Sequence, residues 1–482
     1  MNTQYHERNI SMVMDMYELT MSNGYLNQGF KDTWVAFDVF YRNNPDNGGF
    51  AIFAGLQQVV EYIENLHFSE EDVEYLRSKR LFTEEFLEYL LHFRFRGDIY
   101  AMKEGTVMYP NEPVITVVAP LIDAQLIETT ILLEINHQSL IATKTNRIVQ
   151  AANGKPVSDF GARRAHNVDA AVYGARAAYI GGAAGTATVL AGKMFHIPIS
   201  GTMAHSWVMT FDSEYDAFKA YAESYPDGTV LLVDTYDVLK SGVPNAIRTA
   251  REVLEPMGKK LIGIRLDSGD LAYLSKEARK MLDEAGLPDC MIVASNSLDE
   301  YTISSLNRQG AKIDSYGVGE RLITSSSTPV FGAVYKLVAI QKDGKFIPKI
   351  KISETAEKIT NPGIKEVYRV YDENGKAVAD YLAVKGEQIR DLEPVRYVDP
   401  VNYWKNRSFV GCRFKKLQVP VFEKGKRIYD LPDIEEIRQY VKDQLENEIW
   451  EEEQRFENAH THYLDMSPAM FELKMSLLHE EN

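Results

Sequence analysis

The chain is predicted to be an α/β protein whose middle forms a βα barrel or a doubly wound sheet, and three observations carry that reading. From about Val157 to Phe331, short apolar strands alternate with helical stretches. Each strand is followed at once by a polar or glycine-rich cluster. At 482 residues, 45% hydrophobic and 11% aromatic, the chain is long enough for two or three domains and at least one large core.

Taken in order, residues 33–41 (TWVAFDVFY) are rich in β-formers and read as a strand. Asn43 to Gly49 is a polar turn cluster, read as a loop. After Gly55 the spacing of Leu56, Val59, Val60 and Ile63 is helical, and Leu126 to Ala142 reads as a helix packed between layers. The central strands are expected at Ile197–Ile199, Thr229–Val233, Lys260–Arg265, Met291–Ala294 and Ile313–Tyr316, with a helix at Ser275–Ala285. Beyond Phe331 come two hairpins, around Asp343-Gly344 and Asn374-Gly375. From Asp433 the chain reads as helical, with Glu446 to Glu457 a solvated acidic face. The expected division is an N-terminal α/β domain over 1–130, joined by the strand pairs of 332–400; a catalytic βα domain over 131–331; and a largely helical acidic segment over 401–482.

A net charge of −16 excludes a protein that embraces nucleic acid, because phosphate-backbone binding needs clustered Lys and Arg. No stretch approaches the roughly 20 apolar residues of a membrane span, and no basic, apolar leader is visible, so the cytoplasm is the expected compartment. Two distant cysteines, Cys290 and Cys412, fit neither a structural zinc site nor a disulfide framework.

The polar clusters carry the chemistry. Gly201 to Ser206 sets His205 among small and hydroxyl-bearing residues, which leave room for a phosphate or sugar and donate hydrogen bonds to it. Asp234 to Asp237 and Asp267 to Asp270 supply acids suited to Mg²⁺, to ribose hydroxyls or to holding a histidine in one tautomer. Ser295 to Ser297 and the Gly317-Val318-Gly319 turn offer donors to phosphate, and Arg163, Arg164 and Arg265 offer guanidinium forks to an anion. Together the clusters point to a site for a phosphorylated sugar.

The series Asp15 to Met21, Asp159 to Arg164, Gly185-Thr186, Gly201 to Ser206, Val233 to Asp237, Arg265 to Asp270, Ser295 to Ser297, Tyr316 to Gly319 and Gly332 to Leu337 closely resembles the nicotinate phosphoribosyltransferases, a type II phosphoribosyltransferase family. The resemblance implies an irregular barrel with an added α/β domain. It also implies a homodimer with shared active sites. The implied reaction converts nicotinate, phosphoribosyl diphosphate, ATP and water to nicotinate mononucleotide, diphosphate, ADP and phosphate, with Mg²⁺ assisting and His205 as the residue phosphorylated by ATP.

By the same resemblance Phe160 stacks on the pyridine and Tyr17 of the neighbouring subunit closes its other face. Thr202 and Arg265 hold the nicotinate end, Arg163 the product phosphate, and Asp234 orients His205. Ser295, Asn296, Gly317, Gly319 and Thr324 receive phosphates, and Asp267 serves the ribose or Mg²⁺; no residue is assigned outright as a metal ligand. Relatives that use nicotinamide carry an aspartate where this chain has Ala187, and a carboxylate there would repel nicotinate. A nicotinamide enzyme and a catalytically silent nucleotide sensor on the same fold are the alternatives. A Schiff-base aldolase would want a lysine in the strand-end clusters, and none is there.

Overall fold

The computed structural model describes residues 8–355 and 358–480. The chain folds as two compact units, Ile141–Pro329 and a second made of Met1–Leu140 with Val330–Asn482. The helix Glu128–Ala151 runs past Leu140 from one set of residues into the other.

In the Ile141–Pro329 unit six parallel strands follow the order Gly185–Thr186, Val157–Asp159, Ser315–Val318, Met291–Ala294, Gly263–Leu266 and Val230–Leu232. A bridge from Thr186 to Ile199 extends the array. Val157, Leu231, Leu232, Ile264, Leu266, Ile292, Ala294, Tyr316 and Val318 are all buried, as parallel strands covered on both faces require. This is an irregular βα barrel. Chemistry in such an array belongs at the carboxyl ends of the strands, where the connecting loops converge.

The other unit is built on two large sheets, with a two-stranded one of Ala51–Ile52 and Val107–Met108. One has seven strands, in the order Lys345–Pro348, Val334–Lys342, Trp34–Phe40, Ile115–Pro120, Asp98–Met102, Gln418–Glu423 and Lys426–Arg427. The turn between its first two strands has Asp343 at φ 48° and Gly344 at φ 76°, the left-handed pair that a tight hairpin demands. The second sheet has six strands, in the order Asn406–Phe409, Val395–Val398, Leu464–Met466, Ala377–Val384, Lys365–Tyr371 and Arg413–Lys416. Beneath it Arg369 donates to both carboxylate oxygens of Asp380, at 2.9 and 2.8 Å. His462 Nε2 lies 3.5 Å from the same carboxylate and its Nδ1 lies 3.0 Å from Glu453. Burial alone would push Asp380 up, but Arg369 holds its carboxyl well below the usual range.

Several sequence expectations are corrected. The segment 401–482 is not a separate helical tail: it supplies strands to both sheets and ends in the helices Ile434–Asp443 and Pro468–Glu480. Glu446 to Glu457 is not one solvated helical face either, since helical structure stops at Glu448 and Glu453 is buried against His462 and Tyr109. Ile197–Ile199 forms only a single bridge, because Pro198 has no N–H to give a ladder. The last barrel strand runs to Val318, so Gly317 lies within it and not in a turn beyond it.

Candidate active site

Every residue expected in the site, apart from Tyr17, belongs to the barrel unit. Tyr17 sits in the other unit on the helix Met16–Asn27, with 42% of its surface exposed. Burial and the carboxylate of Glu128 raise its phenol above the ordinary range.

His205 opens the short helix His205–Thr210. Its Nε2 lies 3.2 Å from Asp234 Oδ1, and the Asp234 side chain is almost wholly buried while the imidazole is 39% exposed. Oδ2 of Asp234 is occupied from behind by the backbone N–H of Asp267 at 3.0 Å and the Ser268 hydroxyl at 2.6 Å. The carboxylate therefore has one oxygen fixed by the barrel and one presented to the ring. Because a carboxylate only accepts, the proton between the pair belongs on Nε2, and Nδ1 is left with its lone pair and no partner among the described residues.

Arg265 lies on the strand Gly263–Leu266 with its side chain only 12% exposed. It donates through Nη1 to the Thr202 hydroxyl, and its Nη2 is 3.8 Å from Asp267 Oδ1. Its Nε is buried with no partner among the described residues. Burial holds its guanidinium pKa below the ordinary value, and the nearby positive charge of Arg163 pushes the same way, against Asp267 and Asp234. Arg163 itself is exposed on the turn Ala162–Arg164. Two guanidinium groups at one strand-end surface, one with a donor to spare, favour an anion.

Phe160 follows the strand Val157–Asp159 and is half-buried. A Cβ on Gly317 would strike its ring, so the glycine is what lets the ring lie down on the neighbouring strand. Ser295 is buried and donates to Asp267 Oδ1. Asn296 and Ser297 beyond it adopt φ of 97° and 45°, conformations that non-glycine residues hold only where the surroundings enforce them. Gly319 follows the last strand and lies beside the Phe160 carbonyl. Thr324 departs from the group: with Arg164, His166, Glu320, Ser326 and Pro329 it lines a cavity of about 300 Å³.

Asp159, Thr186 and Ser268 all stand in the sequence motifs, but nothing in those motifs singles them out as individuals. Ser268 was legible only as one hydroxyl among several, since nothing in the sequence shows it behind Asp234. Among the described residues no group of three or more His, Cys, Asp or Glu side chains is arranged to hold a metal. No helix there is long and apolar enough to cross a membrane.

A barrel whose strand ends gather one carboxylate-oriented imidazole, a buried guanidinium and hydroxyl-bearing turns defines a βα-barrel enzyme built to handle anions. Comparison with known proteins makes the class particular. Models of the nicotinate phosphoribosyltransferase N-terminal domain, family and C-terminal domain match residues 12–136, 156–375 and 364–474. The Bacillus subtilis nicotinate phosphoribosyltransferase is 46% identical over 477 residues, 99% of this chain and 96% of the relative. The crystal structure of human nicotinic acid phosphoribosyltransferase superposes with a TM-score of 0.85 at 26% identity, over 97% of this chain and 100% of the human one. A nicotinate-nucleotide pyrophosphorylase structure from Pyrococcus furiosus follows with a TM-score of 0.68 at 26% identity, over 92% of this chain and 99% of that one. The chain belongs to the nicotinate phosphoribosyltransferase family.

Proposed function

We propose that the chain is a nicotinate phosphoribosyltransferase of NAD salvage that couples formation of nicotinate mononucleotide to ATP hydrolysis through phosphorylated His205. The observation that carries the coupling is the His205–Asp234 pair at 3.2 Å. With the proton fixed on Nε2, Nδ1 is a nucleophile toward the γ-phosphorus of ATP: an N–P bond forms, the bond to the ADP oxygen breaks, and water later releases phosphate. Asp234 offsets the positive charge that the phosphorylated ring gains.

The pyridine nitrogen already has a free lone pair, so displacement of diphosphate from the sugar needs no strong base. The demand is for a placed ring and a stabilised leaving group. Phe160, held flat by Gly317, stacks on the ring; Arg265 with Thr202 takes the nicotinate carboxylate; Arg163 takes the product phosphate. Ser295, Asn296 and Gly319 are the phosphate-receiving set, whereas Gly317 lies under the Phe160 ring and Thr324 lines the neighbouring cavity.

Mg²⁺ fits the donor set, because such an ion is usually held by one or two carboxylates together with substrate phosphates, and Asp267 Oδ2 has no partner among the described residues. When bound, it would neutralise charge on the departing diphosphate. Asp267 would hold it from the protein side.

The working unit is a homodimer in the cytoplasm whose sites are completed by Tyr17 of the other subunit. Preference for the acid over the amide rests on Ala187, exposed beyond the strand Gly185–Thr186. Diphosphate release measured with nicotinate, with and without ATP, tests the reading: release that rises with ATP and yields ADP is expected. Release with nicotinamide alone, or none with either pyridine, would overturn it.

A further inference from the structure

Asp159 is a fully buried acid that the proposed chemistry does not use. It ends the strand Val157–Asp159, between Thr186 on one neighbouring strand and Val318 on the other. Its Oδ1 accepts the backbone N–H of Gly161 at 2.8 Å, and its Oδ2 accepts the Thr186 hydroxyl at 2.8 Å. That hydroxyl in turn accepts the backbone N–H of Thr188 at 3.0 Å. The carbonyl of Asp159 accepts the N–H of Ala187 at 2.8 Å. Burial raises the Asp159 pKa, against the pull of the Thr186 and Gly161 donors.

The four bonds form a clasp between two strand ends. One arm fixes the turn after Phe160, through Gly161. The other fixes the backbone on either side of Ala187, through Ala187 itself and through Thr188. Gly161 has no freedom to compensate, since a Cβ there would press on Ile323 and the Gly319 carbonyl. A hydroxyl at position 186 that both donates and accepts joins the two arms, and a methyl group of the same shape could do neither.

We infer that Asp159 and Thr186 are positioning residues that fix the Phe160 ring relative to the Ala187 backbone, and so how the substituent of the pyridine stacked on Phe160 meets position 187. The inference rests on the pyridine roles proposed above for Phe160 and Ala187. Loosening the clasp lets the ring and position 187 shift against each other, which weakens pyridine binding and blurs the choice between acid and amide. In Thr186→Val the Gly161 N–H still has Asp159 Oδ1, so the turn that carries Arg163 stays fixed and binding of the phosphorylated sugar is spared.

The test compares Thr186→Val, which keeps the shape and loses the hydroxyl, with Thr186→Ser, which keeps the hydroxyl, and with Asp159→Asn. Thr186→Val is expected to raise KM for nicotinate about tenfold and to narrow the nicotinate-to-nicotinamide ratio of kcat/KM by a similar factor. KM for phosphoribosyl diphosphate should stay within about twofold, the scatter of an untouched site. Thr186→Ser should restore the pyridine values, and Asp159→Asn, which touches both arms, should share the pyridine changes of Thr186→Val. Three results overturn the inference: both KM values moving together in Thr186→Val, neither moving, or loss of folded protein in Thr186→Val and Thr186→Ser alike, which would make the clasp a folding element only. The unmodified enzyme is assayed alongside with both pyridines. Its failure to use nicotinate would count against the proposed function, whereas the KM split in the variants, read with whichever pyridine it does use, speaks to the clasp.

Discussion

His205 and Asp234 meet edge to edge, Nε2 to Oδ1 at 3.2 Å, while the other oxygen of Asp234 is held by Ser268 and the Asp267 backbone. The donors behind the carboxylate decide what an amide would do in its place. In Asp234→Asn the amide oxygen would keep Ser268 and the Asp267 N–H, which turns the NH₂ toward His205. The ring proton would then have to move to Nδ1, removing the lone pair proposed to attack phosphorus. Asp234→Asn should lower phosphohistidine formation about a hundredfold or more, the scale of effect a wrong histidine tautomer produces. Labelling with γ-labelled ATP measures it; label near the unmodified level would refute the tautomer argument. His205→Asn should take up none, and label that survives acid would point to another residue.

Gly317→Ala tests the seat of Phe160. The added methyl group would strike the ring from a buried position. Overpacking of this kind costs about 1–3 kcal/mol, here shared between stability and ring placement. The expected outcome is a lower unfolding midpoint together with a raised KM for nicotinate; an unchanged KM would show that the ring position does not matter to the pyridine.

Much of the barrel was legible because a covered parallel strand is a continuous apolar run, and Met291–Ala294 falls at its expected residues. Pattern failed where a single backbone property intervened. Pro198 reduced an apolar triplet to one bridge, and Gly317 reads as a turn residue but lies in a strand because a ring covers it. The acidic tail misled for a related reason: composition marks Glu453 as one of many exposed acids, while its burial depends on His462 and on Tyr109, 344 positions away. In the site, the residues proposed to meet ligand stood out by type. Those that hold them, Asp159 and Ser268, did not, because a supporting hydrogen bond leaves no trace in spacing.

Ala187→Asp should shift preference away from nicotinate. Position 187 is exposed in the chain, so solvent tempers the repulsion between carboxylates, and a loss of about tenfold to a hundredfold in kcat/KM is expected. Competition between the two pyridines reads it directly, and an unaltered ratio would remove Ala187 from the specificity argument.

Glu18 gives the protein a pH signature. Burial pushes its carboxyl up to about 7, against the Thr129 and Asp15 donors. A carboxyl whose folded pKa lies above its unfolded value favours the folded state only while protonated. Stability from this group is therefore present below about pH 4.5 and is lost as pH rises toward about 7. Glu18→Gln should flatten that part of a plot of unfolding midpoint against pH. Parallel curves for the two proteins would place the titration elsewhere.

Tyr17→Ala and His205→Asn should each be nearly inactive, yet mixed dimers of the two should recover part of the ATP-coupled activity. Shared sites leave one of the two with both residues intact. Mixed dimers that form and stay inactive would mean that Tyr17 serves its own subunit or none.

The sheet that holds Trp34–Phe40 is finished by strands that begin some 300 and 380 residues later, at Val334 and Gln418, and the barrel segment precedes both in the sequence. The chain therefore cannot complete its first-made unit until its last-made residues have left the ribosome. The barrel segment, continuous from Ile141 to Pro329, faces no such delay. Synthesis thus runs from beginning to end while folding closes from the middle outward. Nascent chains arrested near residue 370 should shield barrel peptides from protease while residues 34–40 remain open to it.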